Sequence, residues 1–201
     1  SMAVSETIVR EYFELHDFFV RQNRKHIAPK REDDEIDFYV HSPNGPTDGG
    51  EVPFELENAR DLETLTRAAV VGKAWHTVVF TQAVLAHAPE MFRFAGPETF
   101  ARATNAFGGP GPLTKILVIP ALPAGGEARQ QSIDLLHSKG IDAVIPFRTM
   151  LSDLIEHIEV NRNYQKSDLL QVIRILKNYD LFAPPQLELF DLPQSKRKAK
   201  V

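Results

Sequence analysis

The chain has no cysteine among its 201 residues, which excludes disulfide staples, thiolate zinc sites and a cysteine nucleophile. It fits a reducing, cytoplasmic setting. No apolar run approaches the roughly 18–20 residues of a membrane span, and the N-terminus lacks the apolar core of a signal peptide, so no membrane partner is expected. Ser1-Met2 reads as a short vector-derived remnant before a natural start. Positive charge is not in excess either. The formal net charge is −4, which argues against coating of nucleic acid by bulk charge and leaves only local basic patches. No Gly-x-Ser-x-Gly elbow and no dinucleotide fingerprint after a strand occur, which disfavours hydrolases of that kind and Rossmann oxidoreductases. What is present is a hydrophobic share of 43% with 25% charged residues, enough apolar side chain for a packed core.

Periodicity predicts a helix over 5–17, capped by Ser5, with Ile8, Val9, Tyr12 and Phe13 on its buried face and Asp17 at its end. A strand follows from Phe18, turning basic at Arg24-Lys25, and then a charged turn over 28–34. Residues 35–41 alternate, with Ile36, Phe38 and Val40 on one face and Glu35, Asp37, Tyr39 and His41 on the other. After a Pro/Gly-rich loop over 42–53, residues 68–75 read as a buried strand and 81–94 as a helix. The Gly/Pro segment 105–112 fails as a phosphate cradle, because two prolines remove N–H donors and no Gly-Lys-Ser/Thr opens a helix; it reads as a plain turn. A strand at 115–120, a helix at 127–139 closed by Gly140, and a strand at 143–147 form a parallel crossover unit. Helices are predicted at 149–159 and from Ser167 to about Tyr179. The expected fold is therefore an α/β mixed sheet flanked by helices, its first three strands an antiparallel meander. The expected divisions are a core over 1–147, a helical C-terminal extension over 148–186 and a basic tail over 187–201.

Three ionisable residues stand out. Glu6 lies in the first helical turn, three residues before Val9. Asp37 sits between Ile36 and Phe38, where an acid is costly without a partner. Lys73 interrupts an apolar strand. Two acids and a lysine at one end of a sheet suit Mg²⁺-assisted phosphodiester hydrolysis, in which carboxylates hold the metal and the metal lowers the pKa of water. Each also has a plainer reading: a helix-dipole acid, an acid bonded to backbone N–H groups or to Arg21, and a lysine reaching water from a buried stem. The seven histidines show no His-x-x-x-His spacing, so a histidine zinc site is not expected.

The run Glu6-x-x-Val9-x-x-Tyr12-Phe13-x-x-x-Asp17-Phe18, then Arg21-Gln22-Asn23-Arg24, then Glu35-Ile36-Asp37-Phe38, resembles the PD-(D/E)xK nuclease superfamily, in the style of its Holliday-junction-resolvase-like branch. The resemblance covers roughly residues 5–80 and the order of elements to about 147. It implies a restriction-endonuclease-like fold, with Glu6 and Asp37 as catalytic acids and metal ligands, Lys73 as the motif lysine, and Mg²⁺ or Mn²⁺ as cofactor if the site is active. Arg21, Arg24, Lys25, Trp75 and His76 would then contact DNA through phosphate and base stacking.

One position departs from the pattern. Val71 stands where the acid of (D/E)-x-K belongs, and valine offers a metal no oxygen. Two expectations follow. One is a catalytically lapsed nuclease fold acting as a nucleic-acid-binding or assembly module, with a homodimer or protein partner meeting the C-terminal helices. The other is an active endonuclease using Glu6, Asp37, Lys73 and a migrated acid: Glu35, or one of Asp48, Glu51, Glu55, Glu57, Asp61 and Glu63. Arg148, Arg162, Asn163 and Lys166 form a second polar group, and Lys196 to Lys200 make the tail basic.

Overall fold

In a computed structural model, residues 3–23, 36–73 and 78–182 are described. The expected segments at 24–35, 74–77 and 183–201, with Arg24, Lys25, Trp75 and His76, lie outside them. The chain divides into two compact units, Ser1–His157 and Ile158–Val201.

The first unit is built on a five-stranded mixed sheet, order β1-β2-β3-β4-β5, from β1 (Phe19–Gln22), β2 (Phe38–His41), β3 (Arg67–Gly72), β4 (Thr114–Ile119) and β5 (Ala143–Pro146). β1, β2 and β3 pair antiparallel, while β3–β4 and β4–β5 pair parallel. The helices of this unit are α1 (Val4–Leu15), α2 (Ala59–Leu62), α3 (Gln82–Ala86), a 3₁₀ helix (Pro89–Ala95), α4 (Pro97–Ala106), α5 (Gly126–Ser138) and α6 (Phe147–His157). The first compact unit ends with α6.

Parallel strands covered on both faces read as unbroken apolar runs, and β4 is such a run, with Ile116, Leu117, Val118 and Ile119 all inaccessible. One face of the sheet carries Tyr39, Ala69, Val71, Leu117, Ile119 and Val144. Leu85 of α3, Met91, Phe92 and Phe94 of the 3₁₀ helix, Ala103 of α4 and Leu136 of α5 join it in one apolar cluster. The opposite face lies towards α1 and α6: Val9 of α1 and Phe147 of α6 both come within 4 Å of where a Cβ on Gly72 would stand.

Several elements differ from the periodicity reading. α1 starts one residue before Ser5, and its N-terminus is closed by Glu6, whose Oε2 accepts the Ala3 N–H at 3.1 Å; Ser5 is not the cap. The helix stops where expected, with Asp17 at a left-handed φ of 63°. The segment 81–94 is two short helices, because Pro89 has no N–H to continue α3. α4, with Pro97 at its first position, has no counterpart among the predicted elements. The 42–66 connection is more than a hairpin loop: Leu56 N–H donates to Val144 O at 3.0 Å and Val144 N–H to Phe54 O at 2.7 Å, so it reaches the outer edge of β5. The turn at 105–112 is tied down by the Arg67 guanidinium, which donates to Gly109 O and Pro112 O, both at 2.9 Å. Gly140, with φ 87°, closes α5 as predicted.

The second unit contains α7 (Asp168–Asn178), capped by Ser167, whose Oγ accepts the Leu170 N–H at 3.3 Å. The segment before α7 is strapped to it by Lys177 Nζ donating to Ile158 O and Arg174 Nε to Val160 O, both at 2.8 Å. Of the predicted apolar row Leu169, Leu170, Ile173 and Leu176, only Ile173 is fully buried. Among the described residues no helix is long and apolar enough to cross a membrane.

Phe13 on α1 is completely inaccessible and sits edge-on to Tyr12 and Phe18. Phe13→Ala is expected to destabilise the fold by about 3–5 kcal/mol, read as a lower midpoint in urea unfolding with an unchanged slope.

Candidate functional site

Asp37 is not in the middle of a strand. β2 begins at Phe38, which pairs with Val70. Asp37 N–H also donates to Val70 O, at 3.0 Å, so two residues of one strand stand against one of the other. That is the count of a β-bulge, and it breaks the alternation. Ile36 therefore falls into the apolar cluster with Tyr39 and Val71 and not on the face of Phe38 and Val40. The Asp37 carboxylate turns to the end of β3, where Oδ2 accepts the Gly72 N–H at 2.8 Å. On the β1 side, Asn23 N–H donates to Asp37 O at 2.9 Å, and the Asn23 side chain donates to Ile36 O at 3.1 Å.

Asp37 Oδ2, Val9 and Phe147 surround the same point beside Gly72. This corner thus joins α1, the start of β2, the end of β3 and the start of α6. Lys73 follows directly and is half-buried; its N–H continues the ladder to Val118 O at 3.0 Å. Glu6 lies one turn from Val9, but its carboxylate closes the N-terminus of its own helix. Val71, at 1% exposure, belongs to the apolar cluster, whereas the Asp37 carboxylate sits beside Gly72 with α1 and α6. Arg21 is exposed on the edge strand β1, opposite Tyr39.

A Mg²⁺ centre of the kind the resemblance implies needs several carboxylate oxygens around one point. Among the described residues no three His, Asp or Glu side chains come close enough to hold a metal ion. The acids of the 42–66 connection are used elsewhere. Glu55 pairs with Arg129, Asp61 accepts the Glu57 and Asn58 N–H groups at 2.8 and 3.3 Å, and Glu51 and Glu63 line a separate cleft. The described residues therefore do not fit a metal centre at Asp37.

A second polar group, invisible in the one-dimensional spacing, lies where α1 ends. His16 Nε2 is 2.5 Å from Asp153 Oδ2 of α6, and His157 Nδ1 is 3.4 Å from Asp153 Oδ1. The ring of His16 meets Tyr12 edge-on at 5.2 Å and His157 at 5.7 Å. Asp153 and His157 are four apart on one helix, a spacing legible in the sequence, but nothing in it announces His16 as their partner. His16 opens on a cleft of about 820 Å³ that also includes Ser42, Glu51, Glu63 and Thr64; Asp153 and His157 open on another, of about 440 Å³.

Burial, reinforced by the Asp153 and Asp61 carboxylates, pushes the Tyr12 phenol well above its usual range. The folded state therefore holds this proton more tightly than the unfolded chain does. Its contribution to stability is complete below the ordinary tyrosine pKa and is lost as pH rises above about 10. Alkaline titration of tyrosine absorbance is expected to contain a component that ionises only on unfolding, and Tyr12→Phe is expected to diminish it. Asp37→Ala, which leaves the half-buried Gly72 N–H without its acceptor, is expected to cost about 1–3 kcal/mol in denaturant unfolding. No protein-family model matches this chain, and no curated protein or solved structure matches it.

Proposed function

We propose that this is a restriction-endonuclease-like protein of nucleic-acid metabolism whose catalytic centre has lapsed, and that it binds nucleic acid without cutting it. The observation that carries this reading is the divergence of the two motif positions. The Asp37 carboxylate is engaged with the Gly72 N–H at the corner where α1, β2 and β3 meet, while Val71 is packed in the apolar cluster. The order helix, three antiparallel strands, helices, then two parallel-paired strands supports the fold part of the reading. The exposed Arg21 on β1 supports contact with a phosphate backbone, which is salt-dependent by nature. Lys73, next to Gly72, is the remaining motif residue and would position the same backbone.

The assembly part of the reading rests on α7 and its C-cap, where Val172 and Ile175 of the helix and Tyr179 just after it are exposed at 52%, 44% and 71% with helical spacing. A second copy of the chain is the proposed partner. A molar mass that stays monomeric in light scattering up to high concentration removes this part alone.

The decisive measurement is fluorescence anisotropy of labelled single-stranded, duplex and four-way-junction DNA, first in EDTA and then in Mg²⁺ or Mn²⁺. Binding in EDTA that weakens steeply with salt and in Arg21→Glu, with no cleavage when metal is added, is the expected result. Metal-dependent cutting abolished by Asp37→Asn would establish the active endonuclease instead. Absence of binding to any of the three removes the nucleic-acid reading altogether.

A further inference from the structure

We propose that His16, oriented by Asp153, is the acid–base group of a hydrolytic site in the cleft at the end of α1, acting on a neutral or cationic ester and independent of nucleic acid. The geometry has the two relations that such chemistry requires. A carboxylate holds one nitrogen of an imidazole, and the imidazole borders a space large enough for a small molecule. Nε2 of His16 is taken by Asp153 at 2.5 Å, so the tautomer that donates there carries its lone pair on Nδ1. The edge of Tyr12 limits rotation of the ring; His157 Nδ1 donates to the Asp153 backbone carbonyl at 2.9 Å and lies 3.4 Å from the second carboxylate oxygen.

The cleft itself selects the ligand class. Its walls carry the carboxylates of Asp17, Glu51 and Glu63 and, among the described residues, no lysine or arginine. Such a surface repels phosphates and carboxylates and favours neutral or positively charged molecules. Leu15, Phe18 and Leu62 add an apolar wall.

In the proposed step, Nδ1 of His16 takes a proton from water as the water oxygen bonds to the ester carbonyl carbon. The tetrahedral intermediate then expels the alkoxide, which takes the proton back from the imidazolium. The products are the carboxylic acid and the alcohol, and His16 returns to its starting state. Asp153 is a positioning residue; it touches no reacting atom.

The test uses the full chain and two probes, the neutral 4-nitrophenyl acetate and the cationic 4-nitrophenyl ester of Nα-acetyl-lysine. Saturable release of nitrophenol is expected, with a lower KM for the cationic ester. His16→Ala should lower kcat/KM about a hundredfold, the scale of general acid–base catalysis, and added imidazole should restore part of the rate beyond its own hydrolysis of the ester measured without protein. Glu51→Gln should raise KM for the cationic probe alone. Asp153→Asn should lower kcat more than it raises KM. His87→Gln, at an exposed histidine outside the cleft, is the control and should change nothing. A rate linear in ester concentration and equal in wild type and His16→Ala overturns the proposal, as does the absence of hydrolysis. A fall in Tm in His16→Ala with hydrolysis unchanged overturns it too, and would assign the His16–Asp153 pair to joining the two helices.

Discussion

The hydrogen bond from Gly72 N–H to the Asp37 carboxylate organises one end of the sheet. An acid beside a central strand is tolerable only if its charge is met by donors, and a backbone amide at the end of β3 is one such donor. Meeting it requires the extra residue that shifts Ile36 and Asp37 out of the alternating pattern. The same shift sends Ile36 into the apolar cluster and brings the carboxylate beneath α1 and α6. Cluster, bulge and corner are thus three consequences of one local pairing.

Two helices share the face above that corner. α1 contributes Val9 near Gly72 and His16 seven residues on; α6 contributes Phe147 near Gly72 and Asp153 six residues on. The two therefore run in the same direction, and the His16–Asp153 contact fastens them two turns beyond the corner. The polar groups of this unit fall into two sets: a backbone-engaged acid at the end of the sheet, and an imidazole–carboxylate group beside a cleft. The acids of the long 42–66 connection do not gather at Asp37. Backbone pairing draws the middle of that connection to the edge of β5, where Glu55 meets Arg129, while Glu51 and Glu63 line the cleft beside His16.

Apolar periodicity was sufficient for the buried face of α1, for β3, β4 and β5, for α5 with its Gly140 terminus and for α7 with its Ser167 cap, because in each the local preference and the final packing agree. α4 escaped because its inward residues, Thr99 and Ala103, are small or polar and carry little hydrophobic signal. The single helix expected over 81–94 divides because Pro89 outweighs an otherwise continuous apolar stripe.

The amino-acid sequence by itself determined the α/β class, the parallel crossover between β4 and β5, and most of the core, since these depend on side-chain period and on glycine and proline chemistry. Only the tertiary structure decided where the functional groups point. A bulge turns Asp37 towards the helices, packing takes Val71 into the cluster, and His16 meets Asp153 from 137 residues away. Contacts between elements distant in the chain leave no mark on local periodicity, and one extra residue in a strand is enough to send a side chain to the other face.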